Sequence, residues 1–435
     1  MRAVDFRGQE RLKMGDSGQK SRAVRRVLFR QRLLAVFNAF GRVFPQNGSA
    51  FPTLDEPALL EKAGRLTGLA DFGDESFREP LGILLQALNT DARLNLVGRI
   101  AAHNDVLRLL CNRLRLVEDR KRHPGITDQI ISRPLFITGL PRSGSTLLHA
   151  LLAQDPTLRA PATWEVMYPS PPPERTRIHS DPRLARTARD LKWLELLMPD
   201  FKRVHLIDAR LPQECIAIME MAFISYVFES MFFLSSYRQW HEDVDKVPAY
   251  EFHRRFLQHL QWRCPGSRWV LKAPCHLMAL EALFQVYPDA GIIMTHRDPV
   301  KVLGSCTSFT EVLRSPFTDV VDRKTIGVDV RDRWEKGSHL AVRFRQHREV
   351  LSGRFFDIMY LDFIRDPIGL IRSLYEHFEM HLTNAAEEAM LRFLTENPQH
   401  KHGVHRYALE DYGLDPVAER RRFQFYMDYF RLGTE

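Results

Sequence analysis

Apolar and polar residues alternate in a helical pattern over the first part of this chain. Between residues 55 and 122, apolar positions recur every three or four residues, as in DEPALLEKAGRLTG and LNLVGRIAAHNDVLRLLCNRLRLVEDRKR. This spacing predicts several amphipathic helices. The run HPGI, at residues 123–126, interrupts the pattern and marks a boundary. We therefore expect an N-terminal helical region over residues 21–130.

Beyond this boundary, short apolar runs each lead into a helical stretch. PLFITGL precedes STLLHALLAQ, RWVLK (268–272) precedes CHLMALEALFQVY, and AGIIMTH (290–296) precedes VKVLGSCTSF. A fourth run, FFDIMYLDF (355–363), precedes IGLIRSLYEHF. Strands that alternate with helices predict a parallel sheet covered on both faces. We expect an α/β domain over residues 131–435, with residues 155–267 as a mostly helical insertion.

Composition narrows the class of protein only slightly. The chain is 44% hydrophobic and 27% charged, which is ordinary for a globular protein. Its net charge of +8 suits an anionic small ligand, a nucleic acid or an anionic membrane surface. The five cysteines are widely spaced and form no CxxC, which argues against a disulfide framework or a zinc site. Residues 1–20 have no apolar core and are expected to be disordered, so we expect a cytoplasmic protein.

Two segments have features of membrane contact. The most apolar run, CIAIMEMAFISYVFESMFFLSSY (215–237), contains Glu220 and Glu229, which would be costly inside a bilayer. It predicts a buried helix that walls an apolar pocket, and no transmembrane segment. Residues 22–44 mix arginines with apolar residues at helical spacing. This segment fits a basic amphipathic helix for peripheral membrane contact, or, as we prefer, a helix docked on the domain with its arginines in solvent.

The loop GLPRSGST joins the first apolar strand to the following helix. Gly139 and Gly144 allow backbone N–H groups to turn toward an anion, and the helix presents its positive dipole end there. The loop also carries three hydroxyl donors, Ser143, Ser145 and Thr146. This is the frame of a phosphate-binding loop, but Ser145 stands where the lysine belongs, and the cation is Arg142. A plain Gly/Ser turn is the alternative.

Three cations follow the ends of predicted strands: Arg142, Lys272 and Arg297. The carboxyl ends of parallel strands meet at one edge of a sheet, where ligands bind. We therefore expect the three cations to share one polyanionic ligand.

The segment after Arg297 supports this expectation, although Arg-Asp-Pro is also a common strand-to-helix corner. Asp298 can cap the next helix, and Pro299 suits its first turn. Ser305 lies about two turns from Asp298 on the same helix face. Arg297 and Ser305 can therefore hold one phosphate together.

GLPRSGSTLLHALLAQDP, LKAPCHL and RDPVKVLGS together resemble the motifs of the sulfotransferases that use 3′-phosphoadenosine 5′-phosphosulfate (PAPS). GLADFGDESFREPLGILLQAL and HRYALEDYGLDPVAERRRFQFYMDYF resemble a bacterial branch of this family with an N-terminal helical extension. The resemblance spans residues 60–430, approximately. It implies a P-loop, nucleotide-kinase-like α/β fold and transfer of a sulfonate to a hydroxyl or amine.

The resemblance also implies which residues bind the donor. It assigns the 5′-phosphosulfate to Pro141, Arg142, Ser143, Gly144, Ser145 and Thr146. It assigns the 3′-phosphate to Arg297 and Ser305, and it matches Tyr360 to a tyrosine of the family. Lys401 and Gly403 match a C-terminal phosphate-binding loop less well.

Two residues are candidates for the general base. His276 follows Lys272 by one turn and resembles the histidine of cytosolic members, although it could be only a hydrogen-bond donor at a helix end. Members with an arginine in the loop use a glutamate after the first helix, and Glu165 lies near that place. A surface carboxylate beside Trp164 is the alternative for Glu165. Both remain candidates, with His276 placed first, and Lys272 is expected to assist the transfer.

The missing loop lysine favours a sulfonate over a phosphate. Kinases meet the γ-phosphoryl charge with Mg²⁺ and that lysine, whereas a sulfonate carries less negative charge, so Arg142, Lys272 and backbone N–H groups can suffice. We therefore predict in-line transfer from PAPS without a metal. The alternatives are an ATP- and Mg²⁺-dependent P-loop kinase, and a non-enzymatic protein that binds membranes or nucleic acid through residues 22–44. For the sulfotransferase, we expect a small, hydrophobic acceptor and no nucleic-acid partner.

Overall fold

The computed structural model describes residue 38 and residues 52–199, 201, 206–398 and 408–435. Residues 1–20 and all of the 22–44 segment except Asn38 lie outside the described residues. The same holds for Lys401 and Gly403. The predictions made for these parts of the chain therefore stay predictions.

The described residues contain one sheet of five parallel strands in the order β2–β3–β1–β4–β5. The strands are β1 (Leu135–Gly139), β2 (Leu158–Arg159), β3 (Arg268–Lys272), β4 (Gly291–His296) and β5 (Phe355–Met359). Every residue of β1, β3 and β4 is buried, as expected for the central strands of a sheet covered on both faces, and the middle of each strand is accordingly apolar. After β1 the chain forms β2 and β3 on one side of β1, and it then crosses to the other side of β1 to form β4 and β5. This reversal places a ligand-binding crevice beside the carboxyl end of β1.

Helices cover the sheet and extend from it at the N-terminal side. In the first half of the chain they are α1 (Glu56–Thr67), α2 (Arg78–Thr90), α3 (Leu96–Arg122), α4 (Ser145–Leu152), α5 (Thr163–Met167), α6 (Pro182–Leu197), α7 (Cys215–Met219), α8 (Tyr226–Met231), α9 (Ser235–Asp243) and α10 (Val247–Gln261). In the second half they are α11 (Leu280–Val286), α12 (Pro299–Arg314), α13 (Arg323–His347), α14 (Tyr360–Arg365), α15 (Pro367–His377), α16 (Asn384–Glu396), α17 (Pro416–Arg422) and α18 (Gln424–Phe430).

The two faces of the sheet pack into two hydrophobic clusters. Leu135 and Ile137 of β1 lie in one cluster, with apolar residues of α4, α14 and α15. Phe136, between them, points to the opposite face and joins the larger cluster. That cluster also contains buried residues of α1, α2 and α3. The N-terminal helices therefore share the core of the α/β region.

The predicted α/β fold with an N-terminal helical region is confirmed, and RWVLK and AGIIMTH form β3 and β4. The strand predicted over 355–363 ends at Met359, and α14 begins at the next residue. The single helix predicted over 215–237 is also wrong. Phe223 adopts a left-handed φ of 56°, and Ser225 caps a new helix, so the run is divided into α7, a 3₁₀ turn, α8 and the start of α9.

Candidate functional site

The loop after β1 is shaped by three residues with positive φ. Gly139 has φ of 127°, and a Cβ there would lie 2.1 Å from the Thr295 carbonyl oxygen. Gly144 has φ of 85° and is the N-cap of α4. Arg142 has φ of 65°, which costs a non-glycine residue about 1–2 kcal/mol. Strain of this kind collects at binding and catalytic sites.

The side chain of Ser143 stabilises the loop from within. It is fully buried, and its Oγ donates a hydrogen bond to the Leu140 carbonyl oxygen. It also lies 2.6 Å from the Thr295 Oγ1. The hydroxyl of Ser143 is therefore used inside the loop.

Arg142 and Arg297 are joined through the backbone. Arg297 Nη1 donates to the Arg142 carbonyl oxygen at 2.9 Å, and Arg142 Nε donates to Ser305 Oγ at 3.0 Å. The Arg297 guanidinium stacks 4.0 Å from the centre of the Tyr360 ring. It also contacts the Glu435 carboxylate, with Nε and Nη2 each 3.1 Å from Oε2. Two cations from different strands thus form one connected group.

The local structure around Arg297 follows the sequence prediction. The Asp298 side chain caps α12 by accepting from the Val300 N–H at 2.9 Å, and Pro299 opens the helix. Asp298 also accepts from Arg420 Nη2 at 2.8 Å. The corner that aims Arg297 is therefore fixed by a cap and an ion pair.

Lys272 supplies the third cation at the carboxyl end of β3. Lys272 pairs with Ile137 of the neighbouring strand β1, which brings Lys272 next to the loop that follows β1. The side chain is 3% exposed. Lys272 Nζ donates to Thr146 Oγ1 at 3.0 Å and to the carboxylate of Glu214. Glu214 immediately precedes α7, in the helical insertion.

These side chains open into one large cavity. Its volume is about 1150 Å³. Nine of the predicted site residues line it: Pro141, Arg142, Gly144, Ser145, Thr146, Lys272, Arg297, Ser305 and Tyr360. The remaining walls are mostly apolar, with side chains from α6, α7, α8 and α12, such as Leu194, Ile216, Met231 and Phe309. Charged groups at the sheet edge thus face an apolar chamber.

His276 lies outside this cavity. It is fully buried, and its Nδ1 is 2.7 Å from the Tyr250 hydroxyl. The edge of its ring packs against Phe136, with the ring centres 5.1 Å apart. Burial, aided by the nearby His253 and Lys272, lowers the pKa of His276 well below its usual value. Its surroundings are those of a core histidine, and its hydrogen-bond partner is Tyr250, not one of the three cations.

Glu165 also lies outside the cavity. It is fully buried and forms a two-point ion pair with Arg159, in which Arg159 Nη1 donates to Oε2 at 2.9 Å. The same oxygen accepts from the Ala162 N–H at 2.8 Å. Arg159 in turn stacks 5.1 Å from the Trp269 ring. The carboxylate is thus occupied in fixing the turn that begins α5.

Glu214 is the residue that sequence reasoning missed. It is the carboxylate that contacts Lys272, and it lines the cavity next to the loop. Glu214 lies in the helical insertion and belongs to no motif, so its position in the sequence did not indicate that it would lie near the loop. A search for acidic residues at the start of helices in the insertion would have included it.

The described residues contain neither a metal-binding cluster nor a membrane-spanning helix. No group of three or more His, Cys, Asp or Glu side chains in that part of the chain is arranged to hold a metal ion. Among the helices of the same residues, none is both long enough and apolar enough to cross a bilayer.

Comparison with known proteins identifies the family. The model of a family described as the sulfotransferase family matches residues 134–384, which is more than half of the chain. The chain therefore belongs to the sulfotransferase family, and it is a sulfotransferase enzyme.

Particular relatives fall within the same family. The crystal structure of the sulfotransferase STF1 from Mycobacterium tuberculosis H37Rv is 32% identical, with a TM-score of 0.76, over 85% of this chain and 98% of that one. The sulfotransferase STF9 from Mycobacterium avium is 29% identical, with a TM-score of 0.79, over 88% of this chain and 98% of that one. The omega-hydroxy-beta-dihydromenaquinone-9 sulfotransferase Stf3 of Mycobacterium bovis is 25% identical over 299 residues, 65% of this chain and 71% of the relative.

Proposed function

We propose that this sulfotransferase moves the sulfonate of PAPS to a hydroxyl or amine of a small, largely apolar acceptor, by in-line transfer without a metal. The observation that carries the proposal is the convergence of Arg142, Lys272 and Arg297 at the mouth of one apolar cavity. The alternative of an ATP-dependent kinase loses support because Asp362, an aspartate near the end of the fourth apolar run that a kinase could use to hold Mg²⁺, pairs with Arg365 on α14.

The donor site fits two separate anionic groups. The N–H groups of the loop and the start of α4 suit the phosphosulfate. Arg297, linked to the loop through the Arg142 carbonyl oxygen, suits the 3′-phosphate. Tyr360, stacked on Arg297, holds the guanidinium plane in place. Arg142 also donates a hydrogen bond to Ser305. A phosphate bound by Arg297 and Ser305 would therefore contact two residues that are each hydrogen-bonded to Arg142.

We propose Glu214 as the general base, in place of His276 or Glu165. Its carboxylate contacts the ammonium of Lys272 inside the cavity, whereas the other two candidates face the core. In the proposed step, Glu214 accepts the acceptor's proton as the acceptor oxygen or nitrogen bonds to sulfur. The bond between sulfur and the bridging oxygen breaks, and adenosine 3′,5′-bisphosphate leaves. Lys272 and Arg142 would stabilise the charge that develops on the bridging oxygen.

The size and lining of the cavity support an apolar acceptor. Ligand sites commonly measure about 300–1000 Å³, so a volume of about 1150 Å³ leaves room for donor and acceptor together. The relative named for its action on omega-hydroxy-beta-dihydromenaquinone-9 uses a hydroxylated menaquinone. We infer that this chain also takes an acceptor whose hydroxyl is attached to an apolar body.

The proposal is tested first by ligand binding. Adenosine 3′,5′-bisphosphate is expected to raise the melting temperature of the full chain, because a ligand that binds only the folded state stabilises it. ATP with Mg²⁺ is expected to have less effect. Stabilisation by ATP with Mg²⁺ alone would favour the kinase. Transfer from labelled PAPS should then persist in EDTA, and strict dependence on Mg²⁺ would contradict the metal-free step.

A further inference from the structure

Three ionisable side chains meet in the wall of the cavity, apart from the donor loop in sequence. Asp105 and Arg108 lie one turn apart on α3, and Arg108 Nη2 contacts the Asp105 carboxylate at 2.6 Å. Glu220, in the 3₁₀ turn after α7, places a carboxyl oxygen 3.8 Å from the same nitrogen. All three line the cavity. We refer to Asp105, Arg108 and Glu220 as the α3 polar cluster.

Glu220 is the most weakly paired member of the cluster, because its one ion pair, with Arg108, is 3.8 Å long. The residue is 5% exposed, and its carboxyl makes no hydrogen bond with any residue of the described ranges. Burial, together with the neighbouring Asp105 carboxylate, raises the pKa of Glu220 well above its usual value. A buried carboxyl without a hydrogen bond is costly, and a ligand or an ordered water usually supplies one. The carboxyl of Glu220 therefore offers a hydrogen bond to whatever fills the cavity.

The cluster and the proposed base lie at opposite ends of one short helix. Glu214 precedes α7, and Glu220 follows it. Six residues at 1.5 Å each separate the two by about 9 Å along the axis. Ile216 and Ala217, between them, also line the cavity and are apolar. A ligand that reaches both carboxyl groups must therefore cross an apolar stretch.

From this arrangement we propose that the acceptor is an elongated alcohol with a second, uncharged polar group. The α3 polar cluster binds that second group through Glu220, while the reacting hydroxyl lies at Glu214. This inference rests on the proposed function and adds a second point of recognition to it.

The charges of the cluster favour an uncharged group. The Asp105 carboxylate and the Arg108 guanidinium are paired, so neither is available to neutralise a ligand ion. An acceptor that ended in a carboxylate would face Asp105 and Glu220. An acceptor that ended in a plain methyl group would remove water from the Glu220 carboxyl and return no hydrogen bond. A hydroxyl or carbonyl avoids both penalties.

The test compares matched ligands by calorimetry on the full chain saturated with adenosine 3′,5′-bisphosphate. The probes are α,ω-alkanediols of increasing length and the 1-alkanols with the same number of carbons. At the length that spans the two carboxyl groups, we expect the diol to bind about tenfold more tightly. Glu220→Leu should abolish this advantage, and Glu220→Gln, which keeps the hydrogen bond, should retain it.

Several outcomes would overturn the inference. These are equal affinity for diol and alkanol at every length, a diol advantage that survives in Glu220→Leu, and no measurable binding of any diol. Tighter binding of ω-aminoalcohols than of diols would make the cluster a cation site and would also overturn it. If adenosine 3′,5′-bisphosphate fails to bind, the donor proposal fails, and the same comparison on the ligand-free chain still tests the cluster.

Discussion

The carboxylate of Glu435 lies against the guanidinium of Arg297, with Oε2 at 3.1 Å from both Nε and Nη2. Arg297 is the residue proposed to bind the 3′-phosphate of the donor. The backbone N–H of Glu435 also donates to Asp298 at 3.1 Å, which holds the glutamate beside the site. An anionic side chain of the protein thus occupies the position proposed for an anionic group of the donor.

Removing the charge of Glu435 is expected to tighten donor binding. The 3′-phosphate must displace the carboxylate or tolerate its repulsion, and Glu435→Gln removes both penalties. We expect the Kd of adenosine 3′,5′-bisphosphate to fall by about twofold to fivefold, which corresponds to the energy of an exposed ion pair. Calorimetry measures this change in Kd. The control is Glu379→Gln, which removes the charge of a glutamate in an exposed ion pair with Arg133. A weaker complex in Glu435→Gln would mean that the glutamate supports the site.

Arg297→Ala is expected to weaken binding of the 3′-phosphate selectively. A hydrogen bond to a charged group contributes about 1.5–3 kcal/mol, or roughly ten- to hundredfold in affinity. Adenosine 3′,5′-bisphosphate should lose this factor, whereas adenosine 5′-phosphosulfate, which has no 3′-phosphate, should lose much less. Arg372→Ala, at the exposed pair with Glu387, is the matched control. An equal loss for both nucleotides would place the 3′-phosphate elsewhere.

Glu214→Gln is expected to lower kcat while donor binding stays close to that of the unmodified chain. General base catalysis contributes about 10²–10⁴ to the rate, and the amide cannot accept the proton. Turnover of labelled PAPS with an alcohol acceptor measures kcat, and calorimetry with adenosine 3′,5′-bisphosphate measures binding. Turnover that continues unchanged in Glu214→Gln would remove this residue from the mechanism.

The same substitution at Glu165 should act on stability instead. Glu165→Gln leaves the Arg159 guanidinium buried without its carboxylate, and breaking a buried pair costs about 3–5 kcal/mol. We expect a lower free energy of unfolding in urea and, at temperatures where the protein is folded, nearly unchanged kcat. A folded but inactive Glu165→Gln protein, together with an active Glu214→Gln protein, would reverse the assignment of the base.

Stability should fall in mild acid, in part through His253. Burial lowers the pKa of His253 to about 3, from 6.5. Between these values the unfolded chain binds a proton that the folded chain does not, so stability is present above pH 6.5 and is lost as the pH falls toward 3.

The size of this effect can be measured in a variant. His253→Gln is expected to reduce the slope of unfolding free energy against pH by about 1.4 kcal/mol per unit in that window. Urea unfolding at several pH values gives the slope, and His347→Gln, at an exposed position, is the control. An unchanged slope in His253→Gln would show that His253 binds its proton in the folded state as well.

The sequence was sufficient to predict that the three cations come together, because their positions are local or follow from parallel strands. Arg142 belongs to a recognisable loop, and Lys272 and Arg297 end apolar runs that had to become neighbouring strands. The acceptor side was harder to predict. Glu214 comes from the insertion and meets Lys272 only through tertiary packing, and β2, at two residues, is too short to show a pattern.

The two wrong choices of element have physical causes. The apolar run 355–363 resembles a strand throughout, but its second half turns into α14, where Phe363 packs next to Gly144. The apolar run 215–237 resembles one helix, but the partners of its two glutamates lie on other elements. Glu229 pairs with Arg333 at 2.8 Å, and Glu220 faces the cavity. Such long-range partners cannot be read from spacing along the chain.

The wall of the cavity has a consequence for how this enzyme can change. The cavity proposed to hold the acceptor is lined by Ala101, Asp105 and Arg108 of α3 and by the helices between residues 182 and 231, none of which belongs to the sheet. The donor loop and the cations belong to the sheet edge. Substitutions in these helices can therefore redirect the choice of acceptor while the transfer chemistry is inherited intact, so new substrates can be acquired without rebuilding the reaction.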